Sequence, residues 1–106
     1  KWLIDHTDKG PFRTIQYQLN RDKKTIDAVM GIFRDAYNTK ERREALVDSI
    51  EIRLGKAKKF SDAKYQGHRW RQLDQRVELR TDKKDKALEF ILHKRGRFDP
   101  TASEEN

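Results

Sequence analysis

Apolar positions recur along this chain in short, phased groups, and their spacing suggests where regular structure begins and ends. The clearest group is TIDAVMGIFRDAY, where Ile26, Val29, Met30, Phe33 and Tyr37 fall on one face of a helix. Asp22 or Thr25 is placed to cap its start, Asn38 to end it in a left-handed turn, and Thr39 to cap the next helix. That next segment, KERREALVDSIEIRLGKAKK, puts Leu46, Val47, Ile50 and Leu54 on one stripe before Gly55 weakens it. A two-residue connection makes the pair an antiparallel helical hairpin over residues 25–57.

Upstream, WLI is a short apolar start and HTDKGP a loop. FRTIQYQLN alternates Ile15, Tyr17 and Leu19 as a strand does, although Phe12, Ile15 and Leu19 also fit a helix; its β-branched and aromatic content favours the strand. Downstream, YQGHRWRQLDQRVELR can be wound as a helix over 68–80. Trp70, Leu73 and Val77 then lie within about 60° of one another and face the core, with Arg69, Arg76 and Arg80 within about 40° along its border. Arg71 falls on the far side near Glu78, a bystander.

DKKDKALEFILHKRG has the grammar of a last helix, with Asp82 as its cap, a stripe of Ala87, Leu88, Ile91 and Leu92, and Gly96 as its stop. A rival reading pairs RVELRT with LEFILHK as a β-hairpin across DKKDK. The pattern therefore predicts a mainly α, small helical domain, built on the antiparallel helical hairpin and spanning residues 1–97. An α+β domain with a C-terminal β-hairpin is the alternative. Residues 98–106 read as an acidic, disordered tail.

Composition narrows this picture. The 106 residues are 34% hydrophobic and 41% charged, so the core is lean and a single domain is expected. With no cysteine, disulfides and thiolate metal sites are excluded. The chain lacks a long apolar run, so neither a membrane-spanning helix nor a signal segment is expected and an intracellular location fits. Starting at Lys1, it reads as a piece of a longer protein.

The net charge of +7 is unevenly spread. Residues 1–55 carry +2, residues 56–97 carry +8, and residues 98–106 carry −3. A field of that sign and placement attracts polyanions, and nucleic acid is the expected partner, held mainly through its phosphates. Arg69, Arg76 and Arg80 form the central row, extended by Lys58, Lys59, Lys64, Lys83, Lys84, Lys94, Arg95 and Arg97. Trp70 serves either as a stacking platform or, as its apolar stripe favours, as a core residue.

No zinc-finger, ribonucleoprotein, homeodomain or basic-zipper pattern occurs, nor any phosphate loop or nucleophile elbow. His6, His68 and His93 lack metal-ligand spacing, so no metal or cofactor is expected. Two other readings compete with nucleic-acid binding. The 25–57 hairpin could lend its stripe to a protein partner or to a second copy of the chain. His68 and His93, set among cations, also supply the acid and base that a small metal-independent ribonuclease needs.

Overall fold

The computed structural model describes residues 2–20 and 25–94. Over them the chain forms one seven-stranded antiparallel sheet and one α-helix. The strands are β1 (Trp2–His6), β2 (Phe12–Leu19), β3 (Ile26–Phe33), β4 (Lys58–Ser61), β5 (Tyr65–Arg71), β6 (Gln75–Asp82) and β7 (Leu88–Lys94). The helix α1 spans Lys40–Leu54, between β3 and β4. The spatial order is β1-β2-β3-β7-β6-β5-β4, two meanders joined where β3 pairs with β7.

This overturns the mainly helical fold. Residues 26–33 form a central strand, followed by a single 3-10 turn at Asp35–Tyr37, so no 25–57 helical hairpin exists to serve as a dimer surface. The physical reason is that β3 has neighbours on both sides and apolar residues on both faces. Its apolar residues therefore form a nearly continuous run, AVMGIF, which also satisfies a helical period. Isoleucine and valine content, with Gly31 in the middle, settles the contest for the strand.

The last segment repeats the lesson. Residues 75–94 are the hairpin β6–β7, with Val77 opposite Leu92, Leu79 opposite Phe90 and Thr81 opposite Leu88. The rival reading had this pairing, inside a domain that is mainly β rather than α+β. Asp82 does cap, but what it caps is the turn: its carboxylate accepts from the Lys84 N–H at 2.7 Å and the Asp85 N–H at 3.2 Å. Gly96, Asp22 and the tail 98–106 lie outside the described residues.

The helix α1 forms as its sequence implies. The Thr39 hydroxyl accepts from the Arg42 N–H at 3.3 Å, and Gly55 ends the helix with φ at 85°, a conformation that favours glycine. Leu46, Val47, Ile50 and Leu54 pack onto one face of the sheet, against Phe33, Trp70, Val77, Leu79 and Leu88. The indole N–H of Trp70 donates to the Gly55 carbonyl at 2.9 Å and ties β5 to the end of the helix. Trp70 and Val77 are core residues as expected. Leu73, wound onto the same stripe, instead sits at the β5–β6 turn and is 98% exposed. Arg71, too, is moved by the change from helix to strand.

Candidate nucleic-acid interface

The sheet has a second face, on which α1 does not lie. Strand alternation sends Arg76, Glu78 and Arg80 of β6 to it, and the register adds their neighbours row by row. One row runs Met30, Ile91, Glu78, Arg69, Lys58 across β3, β7, β6, β5 and β4. The next runs Ile32, Glu89, Arg80, Gly67, Phe60 across the same strands. On the other side of the first row, Ala28, His93, Arg76 and Arg71 stand in line. On β4 to β7 this open face thus carries five cations, Lys58, Arg69, Arg71, Arg76 and Arg80, against three carboxylates, Glu78, Glu89 and, at the end of β6, Asp82.

The two glutamates are the hub. Glu78 is 2% exposed, and its oxygens accept from Arg69 at 2.6 Å and Arg80 at 3.1 Å, with the Arg76 Nε at 3.4 Å. Glu89 accepts from the Arg80 Nε at 3.0 Å. Burial pushes the Glu89 carboxyl above its ordinary range, while the Arg80 charge and hydrogen bond pull the other way. Two rings complete the surface. The Arg80 guanidinium lies 3.7 Å from the centre of the Tyr65 ring, and that of Arg69 lies 4.1 Å from the centre of Phe60. Burial raises the Tyr65 hydroxyl's pKa, and the Arg80 charge opposes it.

Gly67 is forced by the backbone. A Cβ there would stand 2.7 Å from the Arg80 Cα and closer still to the Leu79 carbonyl oxygen. With no side chain of its own, Gly67 is surrounded on the open face by Phe60, Tyr65, Arg69 and Arg80.

Where the chain leaving α1 meets the end of β5, a cleft of about 440 Å³ opens beside this face. Lys56, Lys58, Lys59, Arg69 and Arg71 line it, and among the described residues no carboxylate does. Such a concentration of one sign in a concave surface focuses the field on an incoming anion.

The structure therefore brings together Lys58, Arg69, Arg76 and Arg80, and adds Arg71. The three arginines expected to form a row are anchored by Glu78 and Glu89 instead of standing clear in solvent. Lys59 projects on the helix side of β4 and meets the cleft at its edge. Lys64, Lys83 and Lys84 gather elsewhere, where the turns after β4 and β6 meet. There the Lys83 N–H donates to the Lys64 carbonyl at 2.8 Å, amid Asp62, Asp82 and Asp85. Lys94 ends β7 on the helix side, while Arg95 and Arg97 lie outside the described residues.

His68 and His93 stand on opposite faces of the sheet. His68 pairs with Leu79 on the helix side, and His93 with Arg76 on the open side. One phosphate cannot lie between them. Burial, and then the Lys59 charge, hold the His68 imidazole below its ordinary pKa. Among the described residues no group of three His, Cys, Asp or Glu side chains is gathered for a metal, and no helix is long and apolar enough to cross a membrane.

Sequence reasoning missed Phe60, Tyr65 and the hub role of Glu78. The strand alternation around Glu78 was the available signal, since it puts one carboxylate between two arginines. No family model, curated protein or solved structure matches the chain.

Proposed function

We propose that the protein binds nucleic acid through its open sheet face, mainly by contacts to phosphates at the β4–β5 edge. The observation that carries this reading is the cleft lined by Lys56, Lys58, Lys59, Arg69 and Arg71 and, among the described residues, by no carboxylate, continuous with a face on which Arg69, Arg76 and Arg80 are held around two glutamates. The geometry supports a division of labour. Lys58 and Arg71, at the margin next to the cleft, meet phosphates, and Lys56 and Lys59 extend the track. Arg69, Arg76 and Arg80 keep their ion pairs and supply the fixed positive background. Preorganised guanidinium groups lose little side-chain freedom on binding, which favours the complex.

Binding of a fluorescently labelled oligonucleotide across a salt series tests this. Neutralising three or four phosphates gives a fall in log affinity against log salt with a slope of roughly 2 to 3. Absence of binding at low salt, or binding that ignores salt, contradicts the reading.

A further inference from the structure

We infer that the patch formed by Phe60, Tyr65, Arg69 and Arg80 around Gly67 is a base-stacking subsite, so that the nucleic acid taken is single-stranded. This rests on the phosphate-binding reading and adds to it. Two guanidinium–ring stacks stand side by side here, at 3.7 and 4.1 Å. Phe60 and Tyr65 are half-buried and the Arg69 and Arg80 side chains keep 18% and 12% of their exposure, so each is held in place yet keeps contact with solvent. Glu78 and Glu89 fix the two guanidinium groups from the sheet side. Position 67 carries no side chain and tolerates none, so nothing stands between the two stacks at the centre of the four residues that flank it on β4, β5 and β6.

Flat π surfaces held rigid at a fixed spacing are what an unpaired base needs, since every base has a face to stack whatever its identity. The charge beside the rings decides the kind of planar ligand. The two arginines in the patch are paired with Glu78 and Glu89, and Asp62 and Asp82 stand near Tyr65, so it is the unbalanced charge of Lys58 and the cleft that favours a planar group carried on an anionic backbone. The cleft lined by Lys56, Lys58 and Arg71 adjoins Phe60, which also lines it. A strand with phosphates in the cleft thus brings its bases to the rings. A duplex keeps its bases stacked inside and offers this patch nothing but backbone.

The test compares a labelled single strand with a labelled duplex of the same length on the wild-type chain and on Phe60→Leu and Tyr65→Leu, with folding checked by circular dichroism. The expected result is single-strand affinity about tenfold above duplex affinity, falling about tenfold in either variant, while duplex binding stays within about twofold. The salt slope is unchanged in the variants, because no charge has been removed. Tyr65→Phe keeps the ring and keeps the affinity, which guards against a variant that only misfolds. Equal binding of strand and duplex, with both leucine variants like wild type, overturns the stacking subsite and leaves the phosphate reading standing. Binding of neither ligand by any variant overturns both.

Discussion

Replacing Glu78 by glutamine is expected to lower stability by about 3 kcal/mol and, at the same time, to strengthen nucleic-acid binding. Glu78 is 2% exposed and faces three arginines, with its shortest contact at 2.6 Å to Arg69. Glutamine has nearly the same shape, but it presents an amide N–H₂ to groups that can only donate, and it leaves Glu89 as the one carboxylate of the network. The arginine side chains keep 12 to 18% of their exposure, so water relieves part of the repulsion and the loss falls at the low end for a broken buried pair. In a domain of this size that lowers Tm by at least about 10 °C. Oligonucleotide affinity, measured at a temperature where the variant is fully folded, rises several-fold at low salt because the face has lost a negative charge. A stability loss below about 1 kcal/mol would mean that solvent, not Glu78, holds these arginines.

Trp70→Ala carries the largest expected stability effect, about 3 to 5 kcal/mol. The side chain is 2% exposed, sits among Phe33, Val77, Leu79 and Leu88, and anchors the end of α1 through the Gly55 carbonyl. Truncation leaves a cavity between sheet and helix and removes the hydrogen bond that joins the two. A small domain has little margin above that loss, so the variant is expected to be largely unfolded near 37 °C. Leu73→Ala, three positions along, is expected to change stability by no more than about 0.5 kcal/mol. Thermal or urea unfolding of the two variants reads the contrast directly. Similar losses for both would put Leu73 back on a buried stripe and contradict the hairpin.

Those two residues also show what the sequence made legible. Trp70 and Val77 are buried in a helix and in a hairpin alike, because the turn between them brings them opposite one another across β5 and β6. Leu73 discriminates, yet the turn around it, QLDQ, has neither Gly nor Pro to announce itself. Arg76 and Arg80 stay together under either geometry, since a spacing of four is one helical turn and also an even step along a strand. Arg69 joins them only because the chain reverses, which sets it opposite Glu78.

The same ambiguity misplaced β3, whose apolar residues on both faces blur a period of two into a continuous run. It also misplaced β7, because an aspartate preceding lysines caps a turn by the same hydrogen bonds that would start a helix. The helix α1 was readable, since Thr39 and Gly55 bracket it and its stripe meets a single surface. Charge was legible as a total for residues 56–97, but not in its division between an open face and a group of turns with its own aspartates. Only the register sorts Lys58 from Lys83.

A matched removal of charge separates the open face from the turns. Lys58→Gln with Arg71→Gln, and Lys83→Gln with Lys84→Gln, each take two positive charges from the chain. The salt dependence of oligonucleotide binding is measured for both double variants beside the wild type. The open-face pair is expected to lose affinity by at least tenfold, with the slope reduced by about 1 to 2, while the turn pair stays within about threefold. Equal losses from the two pairs, or a larger loss from the turn pair, would contradict the account.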